Sequence, residues 1–405
     1  MRRVSGPEFP RIRDPAVGAS LAVRILFAAI PAYGHLFPLL PLATACAAAG
    51  HDVTVATGEP FVGRLSLRTV AGIPAGTDVG GALAETRRRH PDAHGDELTV
   101  AMFADTTADW AGGVLDAVVA ELAPDLVVYE AMNVGAAMAA DVHDVPAVGF
   151  SIGLAATAVV DLIHGAARRY RADFWATRDR RPPPGNGLLG VALLDPAPAS
   201  LASGAAEPAA VRRLPIRSVA FADDAATTPE WLTGPRSRPA IYLTLGTISF
   251  GAVEVIRRAV DQIAGLDVDL LVAVGPQGDP AALGPVPGNV HVERFVAQAR
   301  VLERVDLAVH HGGTGTVLGA AAAGVPQLIL PQGADQFHNA ELITAAGAGR
   351  GLTNDRQDGG AIAEAVAALL GDGPERERAG RLRAEMAAMP APELLVPQLV
   401  ALAGG

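Results

Sequence analysis

Between Leu307 and Gly324 an apolar run meets a glycine-rich turn and then a helix of small residues. Few backbones satisfy that order. Leu307 to His310 read as a buried strand. His311-Gly312-Gly313-Thr314-Gly315 form a turn that few side chains tolerate, and Thr316 to Ala323 read as a helix. Gly324 is placed to end that helix in a left-handed conformation. A turn of this kind leaves backbone N–H groups unpaired at the positive end of a helix dipole, which suits a phosphate. A tight strand-to-helix turn in any α/β protein is the plainer reading, and the glycines alone do not decide between the two.

The rest of the chain extends the alternation. Val23 to Ile30, Asp52 to Thr57, Leu126 to Tyr129 and Ala147 to Phe150 read as strands; Leu36 to Ala49, Ala111 to Leu122 and Gly135 to Asp141 read as helices between them. Prolines then crowd residues 180–238, which predicts loops and a linker. The pattern restarts with strands at Ile241 to Leu245, Leu270 to Val274, Val290 to Glu293 and Gln327 to Leu330, and a helix at Val253 to Ala264. Alternation of this kind predicts an α/β protein of two Rossmann-like, doubly wound parallel sheets facing a cleft, with ligands at the carboxyl ends of the strands. The expected boundaries are a leader at 1–21, a first domain at 22–215, a linker at 216–238, a second domain at 239–385 and a terminal segment at 386–405. With 405 residues, 50% of them apolar, each domain has enough chain for a substantial core.

Charge and cysteine count narrow the function. The net charge of −11 argues against a nucleic-acid partner. The single cysteine, Cys46, excludes an internal disulfide and a multi-cysteine zinc site and fits a reducing cytoplasm. No apolar run reaches transmembrane length.

The stretch from His310 to Asn339, with Asp335-Gln336 after the next strand, resembles the donor signature of nucleotide-sugar glycosyltransferases with the GT-B fold, particularly bacterial enzymes that decorate natural products. The resemblance implies that Gly246, Thr247, His311, Gly312, Gly313, Thr314, Gly315 and Thr316 surround the donor diphosphate. Phe295-Val296-Ala297-Gln298 matches the family's Trp-x-Pro-Gln, which packs on the base. Phe and Ala replace Trp and Pro, and core packing is the alternative for Phe295. Asp335 and Gln336 are implied at the donor sugar, although an aspartate before a helix is commonly an N-cap. Eight positions after His311, where UDP-sugar enzymes often carry an acid for the ribose, stands Gly319. Its lack of a carboxylate argues for a deoxyribose nucleotide, dTDP.

The acceptor half follows the first strand. Gly34-His35-Leu36-Phe37-Pro38 resembles the family's Gly-His-x-x-Pro, which makes His35 the general base; an unperturbed imidazole at about 6.5 suits that role. The family's aspartate partner is matched by Glu130, one methylene longer, with Asp105 and Asp109 as competitors. Tyr33, Phe61, Met102, Phe103, Trp110, Phe150, Phe174 and Trp175 are candidates for an apolar acceptor pocket, and core packing is the alternative for each. Arg168-Arg169-Tyr170-Arg171 reads as a solvated helix face. Leu394 to Leu402 read as a terminal helix, which in this fold returns to the first domain. The implied reaction is an inverting transfer of a deoxysugar from dTDP-sugar to a hydroxyl of a small hydrophobic natural product. No metal is expected, since Asp267-Val268-Asp269 precedes a strand. The expected partners are therefore the aglycone and the nucleotide sugar, with room left for a homodimer.

Three rivals stay open at this level. Gly149-Phe150-Ser151-Ile152-Gly153 matches the Gly-x-Ser-x-Gly of serine hydrolases, but His164 follows too closely and the histidine-glycine stretch comes after the serine. A GT-B protein that binds nucleotide sugar without turnover, or partners another transferase, fits the altered Glu130 and Phe295 positions. A nucleotide-sugar epimerase lacks the additional acidic groups.

Overall fold

The computed structural model describes residues 22–65, 70–76, 79–154, 156–185, 187–202, 211–220, 227–246, 252–276 and 278–404. Thr247, assigned above to the diphosphate, lies outside them, as does the leader at 1–21. Two parallel sheets organise the chain. The first contains β1 (Arg24–Ala28), β2 (Asp52–Thr57), β3 (Ala71–Pro74), β4 (Leu126–Glu130), β5 (Ala147–Phe150), β6 (Ala192–Asp195) and β7 (Arg212–Pro215), in the order β3-β2-β1-β4-β5-β6-β7. The second contains β8 (Ala240–Thr244), β9 (Asp269–Ala273), β10 (Val290–Glu293), β11 (Leu307–His310), β12 (Gln327–Ile329) and β13 (Gly349–Gly351), in the order β10-β9-β8-β11-β12-β13.

Central strands are buried throughout: β4, β8 and β11 have no exposed residue. That is why they read as continuous apolar runs rather than alternating ones, since helices cover both faces of a parallel sheet. The strand order reverses between β1 and β4, and again between β8 and β11. A reversal splays the connections to either side and opens a crevice at the carboxyl edge, so the topology itself locates two binding edges.

Two expectations need correction. The helix expected from Leu36 to Ala49 is two helices, Tyr33–Leu36 and Leu40–Ala48. Pro38 has no N–H to continue the first, and Pro41 sits in the first turn of the second, where a missing N–H costs nothing. The proline-rich stretch is not only loop either, because β6 and β7 lie within it. Each is four residues long, and Pro196 and Pro215 stand where a ladder bond is no longer needed, at the end of a short strand near or at the sheet edge. Four residues carry too little pattern to be seen among prolines.

The halves are joined by packing as well as by chain. Leu154, Ala197 and Leu201 from the first half share a core with Val317, Leu318, Ile329 and Ala340 from the second. The Ser200 N–H donates to Glu385 (3.0 Å) and the Arg217 N–H to the Pro390 carbonyl (2.7 Å). On the last helix, Pro392–Ala403, Leu395, Val396 and Leu399 are buried with Ile25, Phe27 and Leu42 of the first half. Burying a leucine or valine is worth about 2 kcal/mol, so three such side chains pin the chain end firmly. Among the described residues no single helix is long and apolar enough to cross a membrane.

Candidate active site

Neighbouring parallel strands end together, and this brings distant residues to one edge. β1 pairs with β4 with Ala28 opposite Tyr129, so the short helix after β1 that carries His35 and the end of β4 carrying Glu130 meet at the first reversal. His35 Nδ1 lies 3.1 Å from Glu130 Oε1, with the Glu130 side chain fully buried and that of His35 17% exposed. The two are close without an aligned hydrogen bond, and neither atom has another polar partner. The other carboxylate oxygen of Glu130 accepts the Met132 N–H at 3.0 Å. The glutamate thus folds back over its own turn, and the fold-back takes up its extra methylene. Beside it, burial first and the Glu130 charge second push the Tyr129 phenol well above its ordinary pKa. The Phe103 ring stacks on the far side of the imidazole at 5.8 Å and 26°. Asp105 and Asp109 turn elsewhere. Asp105 accepts from His90 Nε2 at 2.8 Å, and Asp109 pairs with Arg89 at 3.0 Å and Arg171 at 2.6 Å.

At the second edge β11 lies beside β8 with His310 opposite Thr244, so the turn after each strand packs on the other. Gly246 (φ +82°) approaches the His311 ring so closely that a Cβ would stand 2.6 Å from it. Gly312 (φ +96°) leaves no more room, since a Cβ there would meet Ile329 at 2.7 Å. Neither position accepts another residue without strain. His310 holds the turn from below: its Nδ1 accepts the Gly312 N–H (3.1 Å) and its Nε2 donates to Gln327 (3.0 Å). Burial pushes His310 down to about 3, with His311 adding to the effect. Burial likewise takes His311 down to about 4, against the pull of Asp335 and of the Thr244 carbonyl. Both rings are therefore neutral near pH 7. The helix Thr314–Ala323 begins at Gly313 without a side-chain cap, and Thr316 and Val317 are the first N–H groups to find an acceptor, the Gly313 carbonyl. Thr314 and Gly315 have no intrahelical acceptor for theirs, and those groups point along the dipole.

Asp335 stands at the N-cap of its helix, but its side chain makes no cap bond and turns to the glycine turn instead. Its Oδ2 accepts from the Thr314 hydroxyl (3.0 Å) and the Asn339 amide (3.0 Å). That amide also donates to the Gly312 carbonyl at 2.8 Å. Asn339 and His310 are thus organising residues that motif reading missed. An asparagine four residues into a helix and a histidine closing a strand carry no signal of their own. Gln336 uses its carbonyl on the Gln332 and Gly333 N–H groups (2.8 and 3.2 Å), leaving only its NH₂ for a ligand.

Residues 44–246 match the model of the erythromycin biosynthesis protein CIII-like N-terminal domain, and residues 257–402 that of the corresponding C-terminal domain. The chain belongs to the erythromycin CIII-like glycosyltransferase family. An L-demethylnoviosyl transferase of Streptomyces niveus is 33% identical over 94% of this chain and 98% of its own length. Tylactone mycaminosyltransferase of Streptomyces fradiae is 27% identical over 98% of this chain and 94% of its own. Among solved structures, the glycosyltransferase SnogD from Streptomyces nogalater superposes with a TM-score of 0.74 at 28% identity, covering 95% of this chain and 100% of SnogD. Spinosyn rhamnosyltransferase SpnG complexed with thymidine diphosphate gives 0.76 at 26%, covering 93% and 100%. The chain is a glycosyltransferase with the two-domain GT-B fold, as the alternation and motifs implied.

Within this glycosyltransferase several expected site residues serve other ends. The Thr314 hydroxyl is donated to Asp335, and that of Thr316 turns to Gln298 at 3.4 Å, so backbone N–H groups rather than hydroxyls remain for a phosphate. Val296 is packed in the core with Tyr242 and Leu302, while Phe295 stays half-buried and faces Tyr33 across the cleft at 6.1 Å. Gly319 lies beside Leu302 and Gln298. Of the acceptor candidates, Phe103 reaches His35, and Trp110 lines a small recess with Ile30, Pro31, Thr107 and Asn133. Tyr33 sits among Phe37, Phe61 and Phe295, with Phe61 buried behind it. Met102 is buried in the same core as Phe103. Phe150, Phe174 and Trp175 are buried in the core. Phe150 is on the other face of the sheet, Arg178 covers the Phe174 ring, and Trp175 is fully buried with its N–H on Asp141. A tryptophan whose ring and N–H are both satisfied inside has nothing left for a ligand. Arg171 is not a solvated charge either, since it joins the Asp105 and Asp109 network. Ser151 is fully buried and donates to the Gly153 carbonyl at 2.9 Å, which removes the hydrolase reading. Gly153 faces Asp335 from the opposite domain, where a Cβ would stand 3.8 Å from the carboxylate.

Proposed function

We propose that the enzyme transfers a deoxysugar from a dTDP-sugar to a hydroxyl of a hydrophobic natural product, with inversion and without a metal. The observation that carries this reading is the approach of His35 Nδ1 to the buried Glu130 carboxylate. A carboxylate there favours the tautomer with the proton on Nδ1 and leaves Nε2 to act as base, as in hydrolase triads. The acceptor oxygen forms its bond to the anomeric carbon as its proton passes to His35 Nε2. The bond from that carbon to the diphosphate oxygen breaks, and its electron pair leaves with the nucleotide. Attack and departure on opposite faces invert the centre. The Thr314 and Gly315 N–H groups at the helix N-terminus oppose the charge that develops on the diphosphate, a task a metal performs elsewhere.

The choice of nucleotide is supported by Gly319, which offers no carboxylate to a ribose 2′-hydroxyl. It is also supported by relatives whose structures hold dTDP or thymidine diphosphate, VinC and SpnG. A related transferase named for TDP-daunosamine supports a TDP-linked donor. Another is named for tylactone, and a second SpnG structure holds spinosyn aglycone, which supports a bulky apolar acceptor. Thermal unfolding with dTDP and with UDP tests the donor. A ligand at a hundred times its Kd adds about 2.7 kcal/mol, so dTDP should raise Tm clearly more than UDP. Equal shifts would remove the Gly319 argument. Turnover of a dTDP-deoxysugar and an aglycone in EDTA, with the product anomer read by NMR, tests the remainder; retention, or loss of turnover restored by Mg²⁺, would overturn it.

A further inference from the structure

Behind the acceptor edge lies a buried histidine that the reaction does not use. His164, on the helix Ala156–Tyr170, is 1% exposed, and its Nε2 donates to the Ala131 carbonyl at 2.7 Å. Its Nδ1 is buried with no partner. Ala131 is the residue after Glu130, and the turn it opens is closed tightly. The Ala131 N–H donates to Phe150 on β5, the Asn133 N–H to the Glu130 carbonyl, and the Met132 N–H to the Glu130 carboxylate itself. The Ala131 carbonyl lies between those bonds, and His164 is what it meets.

We propose that His164 is a positioning residue for the His35–Glu130 pair. Its N–H fixes the Ala131–Met132 peptide, and that peptide presents the Met132 N–H that turns Glu130 Oε2 inward and leaves Oε1 to His35. A buried imidazole with one bare nitrogen is costly to keep. Here the cost is attached to a bond one residue from the catalytic carboxylate. Burial holds the ring neutral, down to about 4, so it supplies one N–H and no charge. Charged or titratable groups around this assembly include Arg168 on the same helix, Tyr129 on β4, and His35 itself.

The inference rests on the His35–Glu130 reading above, and ring ¹⁵N NMR of His35, assigned with His35→Gln, separates the two. At a pH where the ring is neutral, wild type should show the proton on Nδ1, and Glu130→Gln should abolish that preference. His164→Met, which keeps the bulk without an N–H, should give a tautomer mixture and a kcat lower by about one to two orders of magnitude, the range seen when outer groups that orient metal-ligating histidines are lost. Throughout, dTDP affinity should be unchanged. His164→Gln, whose amide can still donate to Ala131, should restore both signals. A wild-type tautomer and kcat in His164→Met would overturn the proposal, as would a folded, dTDP-binding His164→Gln with the mixture. If instead Glu130→Gln leaves the His35 ring unchanged, the pair itself fails and this role falls with it.

Discussion

Glu130 carries one methylene more than the aspartate its family's pattern holds, and the Met132 N–H absorbs it by drawing the carboxylate back over the turn. Length and position are therefore matched, and shortening the side chain should be nearly as harmful as removing its charge. Glu130→Asp keeps the carboxylate but withdraws it from His35. A misplacement of that size costs ~10²-fold in kcat, with dTDP affinity unchanged in a titration. Wild-type kcat in Glu130→Asp would show that the 3.1 Å approach has no catalytic meaning. Sequence placed His35 and Glu130 at strand ends but left Asp105 and Asp109 in competition. The choice was made by Arg89 and His90 from one segment and Arg171 from another, which occupy those two aspartates.

Among elements, the glycine turn between β11 and its helix is the most exacting. Gly312 combines φ +96° with Ile329 at 2.7 Å from its absent Cβ, and its carbonyl is held by Asn339. Gly312→Ala should therefore destabilise the second domain by about 1–3 kcal/mol, the usual cost of an L residue held in a sparsely populated region. It should also weaken dTDP binding. Calorimetry of Gly312→Ala against Gly315→Ala checks this, because Gly315 is exposed and a Cβ there meets nothing. Equal Tm values for the two would refute it. The turn was legible because only glycine permits it. The destinations of the Thr314 and Thr316 hydroxyls were not, since their partners Asp335 and Gln298 come from 21 and 18 residues away. The short strands β6 and β7 were also hidden, because four residues among prolines show no period of their own.

At the scale of the whole molecule, His164 in the first half and His310 and His311 in the second link stability to acid. His164 and His311 titrate at about 4 and His310 at about 3 in the folded protein, against an ordinary 6.5. Folded values lie below unfolded ones, so the unfolded chain binds more protons as pH falls. Stability is full above about pH 6.5 and is lost between there and pH 4 to 3, by up to about 3 kcal/mol for His164 alone. A Tm series from neutral pH down to about 4 should fall more steeply for wild type than for His164→Gln. Parallel series would exclude His164 from the effect. The sequence by itself determined the two parallel sheets and the places where glycine and histidine stand at strand ends, because burial on both faces and left-handed turns restrict which residues are allowed. Tertiary structure alone decided which carboxylate meets His35, which aromatic rings are core, and how Gly153 comes to face Asp335. Those are contacts between segments far apart in the chain, set by strand order and domain packing, and no local pattern encodes them.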